Sequence, residues 1–199
     1  MCRPWKEKHR HHAKGDLSVA TDLKWIGEKA SKEHGLVFTS LYHHVYDVDN
    51  LRACFHALKP KKAVGVDKVT KEEYRENLEE NLKDLSARLK RMGYRPGMRR
   101  RSYVPKTGSE KGRPLGIGNF EDKIVELAMK RTLEPIYEAD FEENSYGYRP
   151  ERNPHQCLDD LGRTIQQNWI NNVVEADIRS FFDKVNHEWM IRFLEHRIG

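Results

Sequence analysis

An α+β fold is what the sequence predicts, and three observations predict it. Apolar residues recur at helical spacing through the early chain, a basic stretch in the middle alternates as paired strands do, and a run of strand formers near the end gives way to another helical pattern. The 199 residues could bury one good core, but the composition is polar for it, with 34% charged against 37% hydrophobic residues. One large exposed surface, or two small lobes, is the natural expectation.

In chain order, residues 1–35 carry charge and histidine but few apolar residues, and read as a basic, poorly ordered arm with a short helix over 18–33. The tract His9, Arg10, His11, His12 reads as a solvated tail and is assigned no site. Leu51, Cys54, Phe55 and Leu58 then fall on one helical face, with Asp49 or Asn50 placed to cap its start. Thr70 and Glu73 form a capping-box pattern, after which Leu78, Leu82, Leu85 and Leu89 repeat until Gly93. "RRRSYVPK" and "RPLGIG" read as two strands joined by the turn "TGSEKG", a ribbon bearing Lys106 and Arg113. Asn119 and Asp122 mark a helix start, with Ile124, Leu127, Ala128 and Thr132 sharing a face and Pro135 weakening the last turn. Pro154 after Asn153 opens a further helix with Leu158, Leu161 and Ile165 inward. A strand over 173–178 and a helix from about Asn186, with Trp189, Phe193, Leu194 and Ile198 as its core, close the chain.

Charge and cysteine narrow the setting. The net charge of +5 is a mild excess, but its distribution is uneven. Between Asp84 and Glu110 there is no acid, while Arg88, Lys90, Arg91, Arg95, Arg99, Arg100, Arg101 and Lys106 accumulate, which favours a polyanionic partner. Cys2, Cys54 and Cys157 are odd in number and widely spaced, so neither a disulfide framework nor a Cys-x-x-Cys zinc site is expected. The basic N-terminus leads into no apolar run, and no stretch approaches the roughly 18 apolar residues of a membrane span. The expectation is a cytoplasmic protein with no membrane partner.

Within "VVEADIRSFFDKVNH", strand alternation would turn Val174, Ala176 and Ile178 to the core and leave Asp177 on the open face near the strand end. Spacing alone leaves two readings of that acid: a helix or turn cap, or a ligand for a hard cation such as magnesium.

Four stretches in order, "AVGVDKVTKEEY", "YRPGMRRRSYVPKTGSEKGRPLGIGNFEDKIVELAMKRTLEPIYEADF", "SYGYRP" and "VVEADIRSFFDKVNH", together resemble the N-terminal part of a group II intron-encoded reverse transcriptase, or maturase, from about Val37 to Gly199. The resemblance implies right-hand polymerase fingers over 36–145 and the first part of a palm over 146–199, ending before the second catalytic motif. It implies that Asp177 is the first catalytic aspartate and, with the Ile178 backbone carbonyl, a Mg2+ ligand. Phe182 resembles the aromatic gate against a ribose 2'-hydroxyl. Lys106 and Arg113 resemble the residues that neutralise an incoming triphosphate, by charge-assisted contacts to phosphate. Arg95, Arg99, Arg100 and Arg101 would contact RNA backbone. The implied partners are group II intron RNA, an RNA template with a DNA primer, and deoxynucleotide triphosphates.

Some positions depart from the family pattern. Lys68 stands where Gly-Val-Asp-Gly-Val-Thr has its second glycine, Gly118 where a proline usually follows "LGI", and Gly97 with Met98 where a proline usually precedes the arginines. A glycine lost from a turn costs stability where the backbone needs positive φ. Two-metal catalysis also needs a second carboxylate, which the family supplies from a downstream Tyr-x-Asp-Asp hairpin. Asp159 and Asp160 read as solvated helix face and Asp183 as a turn acid, so these residues alone are not expected to polymerise. An RNA-binding splicing cofactor without polymerase activity and a non-functional gene fragment are the alternatives, and faces left for a missing palm would favour self-association.

Overall fold

The computed structural model describes residues 14–106 and 109–199; the His9–His12 tract and the turn residues Thr107 and Gly108 lie outside them. The described chain is mixed helix and strand with one small sheet, in two units. Among the described residues the first comprises 14–26 and Ser40–Glu134, the second Gly27–Thr39 and Pro135–Gly199. The divisions fall inside two helices, α1 (Lys14–Lys32) and α6 (Phe120–Glu138).

The first unit is built around α5 (Leu78–Lys90), which packs against α2 (Tyr42–Tyr46), α3 (Val48–Ala57) and α4 (Lys71–Glu76). Leu82, Leu85 and Leu89 are buried along one face of α5, as the period of the sequence predicts, and meet Leu51, Phe55 and Ile124 in a continuous apolar core. The rings of Phe55, Tyr74 and Phe120 pack together there, Phe120 lying 5.2 Å from Tyr74 and 5.9 Å from Phe55 between centroids. The capping box at α4 is formed: Thr70 accepts from the Glu73 amide and Glu73 accepts from the Thr70 amide. Those bonds hold the Glu73 carboxyl below its ordinary range. The cap of α3 differs from expectation. Asp47 accepts from the Asn50 amide at 2.8 Å, while Asn50 is buried and donates its own amide to the His44 carbonyl.

β1 (Arg100–Lys106) and β2 (Ser109–Ile117) form the antiparallel ribbon, with a register irregularity between Val104 and Lys106. β2 begins earlier than the sequence suggested, so much of the expected turn is strand. Pro135 does not end α6, which continues to Glu138.

The second unit corrects two expectations. Residues 173–178 form no strand, because a strand exists only through ladder bonds to a neighbour and no described segment pairs with this one. Val174, Ala176 and Ile178 are accordingly exposed instead of facing a core. In α7 (Pro154–Gln167), Leu158, Leu161 and Ile165 are exposed, as are Trp189 and Phe193 in α9 (His187–Glu195). Both helices are amphipathic and well capped, by Asn153 and Asn186, but an apolar face becomes core only against another element, and among the described residues none covers these. What holds this unit together is largely polar. Buried Arg197 pairs with Asp140 and donates to the His34 carbonyl at 2.9 Å, beside a parallel bridge between Phe38 and Ile198. Arg149 of "SYGYRP" forks onto Glu138 at 2.7 Å and donates to the carbonyls of Glu142 and Ser145.

Candidate nucleic-acid interface and palm acid

The basic surface of the first unit is set by the start of α6. Asp122 is buried in its first turn, where a carboxylate favours the positive end of the helix dipole. It accepts from the Asn119 amide at 3.2 Å, from the Gly97 amide at 3.3 Å and from the Tyr94 hydroxyl. Burial, and then this bond to Asp122, raise the Tyr94 pKa above its ordinary value, so Tyr94 stays a donor. Asn119 in turn accepts from the Val66 amide at 3.0 Å. A Cβ on Gly65 would lie 2.6 Å from the Asn119 Cα, so that loop needs glycine to come this close, whereas one on Gly97 would meet the Asn119 side-chain nitrogen at 2.2 Å and displace that side chain. The departure noted at Gly97 has a local reason as well, since a proline there would lack the amide that Asp122 receives.

Two cations complete the clasp. Arg100 Nε donates to the Val64 carbonyl at 3.1 Å and Lys123 Nζ to the Ala63 carbonyl at 2.6 Å. Arg95 donates to the carbonyls of Met92 and Tyr94 at 3.1 and 2.9 Å, and Arg99 pairs with Glu126. Arg95, Arg99, Arg100 and Arg101 are all exposed, so the four cations expected to meet RNA share one loop and strand start. The loop is oriented by the fold before any partner arrives. On the ribbon, Val104 opposes Arg113, so Arg113 shares a face with Arg100 and not with Arg101. Arg113 is exposed; Lys106 opposes Ser109, and its side chain lies outside the described residues.

In the second unit, Asp177 is exposed in a segment without regular secondary structure, with Ile178 and Phe182 exposed near it. The chain then turns at Ser180, at φ 54°, into the short helix α8 (Phe181–Lys184), where the Asp183 and Lys184 amides donate to the Ser180 carbonyl. Asp183 is exposed in that first turn, in keeping with a turn acid. Asp160 accepts from Tyr146 and lies near Arg163, engaged on its own helix face. The Asp177 carboxylate and the Ile178 carbonyl are oxygen donors of the type a hard cation takes. They do not complete a metal site by themselves, and no group of three or more His, Cys, Asp or Glu side chains placed to hold a metal occurs among the described residues.

Sequence reasoning missed three structural supports: the long-range bonds of Asn119 and Asp122, the Arg149 clasp, and buried Arg197. For the first, the signal was present as two cap-forming residues at a helix start; the Cβ-free glycines at 65 and 97 were the hint that something approaches closely. Nothing local in the sequence distinguishes Arg149 or Arg197 from a surface arginine.

Residues 104–198 match the family model described as reverse transcriptase (RNA-dependent DNA polymerase). Over 177 residues the chain is 32% identical to the group II intron-encoded protein LtrA of Lactococcus lactis subsp. cremoris, covering 88% of this chain and 29% of that protein. It is 40% identical over 142 residues to protein YkfC of Escherichia coli strain K12, covering 68% of this chain and 36% of the relative. It is 32% identical over 78 residues to the mitochondrial nuclear intron maturase 1 of Arabidopsis thaliana, covering 38% of this chain and 10% of that protein. The chain thus spans about a third or less of the length of these relatives. By these matches it is a homologue of the group II intron-encoded proteins and intron maturases, with reverse transcriptase sequence over residues 104–198.

Proposed function

We propose that this chain supplies the fingers, over 36–145, and the first part of the palm, over 146–199, of an RNA-directed DNA polymerase of a mobile group II intron, acting in the cytoplasm and also binding intron RNA to assist splicing. The observation that carries this reading is the reverse transcriptase match itself, because residues 104–198 include Lys106 and Arg113 of the ribbon together with Asp177. Reverse transcriptases generally use divalent metal ions. Here Asp177 and the Ile178 carbonyl would contribute to holding Mg2+, whose chemistry when bound is to lower the charge of the reacting phosphate oxygens. Lys106 and Arg113 would hold the triphosphate of a deoxynucleotide, and Phe182, exposed where a sugar could rest against it, would exclude a 2'-hydroxyl. Arg95, Arg99, Arg100 and Arg101 would hold RNA phosphates, of template or intron. Within the 199 residues there is one candidate palm carboxylate, so polymerisation requires a second from outside them.

The exposed arginine cluster on the loop braced by Asn119 and Asp122 supports RNA binding with or without polymerisation, so an RNA-binding splicing role is the second reading. The test is Asp177→Ala in a protein where these residues are continued by a palm bearing the second carboxylate. Primer extension on an RNA template should fall to background while RNA binding is kept. Extension that survives the substitution removes Asp177 from catalysis. A parent protein that binds intron RNA but never extends a primer leaves the splicing role.

A further inference from the structure

Beside the arginine cluster, the first unit carries an open groove of about 400 Å³ lined chiefly by apolar side chains, among them Tyr42, Val45, Leu89, Met92, Val125 and Met129. Met92 and Met129 are 65% and 48% exposed, so this apolar surface is presented to solvent and not closed into the core. Arg95 and Arg99 stand at the same groove. We infer that the groove receives an unstacked nucleobase of single-stranded RNA, with the adjoining phosphates held by Arg95 and Arg99. This rests on the RNA-binding reading above and adds a base-contacting site to it.

The occupant follows from the pairing of surfaces. An apolar floor alone would suit a protein helix, but its basic side belongs to a stretch with no acid from residue 85 to residue 109. A nucleotide is the ligand that brings a flat apolar face and an anion together. Two acids also line the groove. Asp122 is engaged by Tyr94, Gly97 and Asn119, and Glu126 shares Arg99 with the phosphate, while Arg95, which donates to the neutral carbonyls of Met92 and Tyr94, is the stronger phosphate contact. The aromatic wall is also fixed in advance. The Tyr42 hydroxyl donates to the Leu89 carbonyl at 2.8 Å, its ring meets Tyr46 edge-on at 5.4 Å, and burial raises its pKa above the ordinary tyrosine value. The methionine thioethers are polarisable and adapt to an aromatic plane. A site of this kind reads stacking and not base identity, so it should accept any base.

The experiment compares the 199-residue chain binding a labelled single-stranded oligouridine with its binding of an abasic strand carrying the same phosphates. The base-bearing strand should bind about tenfold tighter, the usual scale of one base stacked on a protein side chain. With Met92→Ser and Met129→Ser together, which leave every charge in place, the difference should shrink to about twofold or less while abasic binding is unchanged. Equal binding of both strands by the unaltered chain overturns the nucleobase site and leaves the phosphate-binding reading intact. Full discrimination kept by the double variant places the base contact elsewhere and overturns it too. Equal strand binding, with self-association that the double variant abolishes, makes the groove a protein interface instead. Failure of both strands to bind at low salt sinks the RNA-binding reading along with the site.

Discussion

Lys68 occupies a backbone position that its side chain does not favour. Its φ is 59°, in the left-handed region where a Cβ crowds the following carbonyl and a non-glycine residue costs about 1–2 kcal/mol. The pattern this stretch resembles has glycine there, and the structure places Lys68 at the positive φ where losing a glycine costs stability. Lys68→Gly should therefore raise unfolding free energy, by about 1 kcal/mol once glycine's greater freedom in the unfolded chain is set against the relieved strain. Urea denaturation of the chain and the variant checks this, and a midpoint that stays or falls shows that the loop carries no strain at Lys68. Asp67 supports the same turn by accepting from the Val69 amide at 3.2 Å, so the variant keeps its main local bond.

At the scale of elements, the loop and ribbon from Arg95 to Ile117 concentrate the charge expected to meet nucleic acid. For single-stranded RNA the logarithm of affinity falls with the logarithm of salt concentration at about 0.7 per neutralised phosphate. Replacing Arg99, Arg100 and Arg101 with alanine should weaken binding at low salt and flatten that slope by about 2, as three lost contacts require. An unchanged slope would remove the cluster from the interface. The legibility of these elements tracks how local their causes are. The capping box at Thr70 and Glu73, the leucine face of α5 and the ribbon were readable because each is set by residues a few positions apart. The strand over 173–178 was not, since an alternating pattern becomes a strand only when another segment pairs with it, and among the described residues none does. The inward face expected of α7, and Trp189 and Phe193 of α9, failed for the same reason, while Leu194 and Ile198 are half-buried; Arg149 and Arg197 are buried by carbonyls and acids that only the fold brings to them. Of the candidate site, the arginines and Asp177 are exposed, Asp177 outside any strand, and the sequence did not show the clasp at Asn119 and Asp122 that orients the arginines.

For the whole molecule, the consequence is an unequal distribution of stability between the two units. The first holds Leu51, Phe55, Leu82, Leu85 and Ile124 with no more than trace exposure, whereas the described buried residues of the second are Ala30, Phe38, Ile136 and Arg197. Each fully buried large apolar side chain contributes about 1.5–3 kcal/mol relative to exposure, so the second unit has far less to set against the entropy of ordering its chain. Arg197 offsets little of this. Its Nε is buried without a hydrogen-bond partner in the described structure, and a buried ion pair with Asp140 recovers part of its desolvation at best. Opening of the second unit should therefore require less free energy than opening of the first, although both contain regular helices. In hydrogen exchange, the amides of α7 and α9 should exchange more than roughly tenfold faster than those of α5 and of Phe120–Glu134. Protection of α7 and α9 that equals α5 in the chain at dilute concentration would mean that their apolar faces are covered after all. If protection appears only as concentration rises, the exposed faces of Leu158, Leu161, Trp189 and Phe193 are meeting one another, as apolar patches of this kind do when no other partner is supplied.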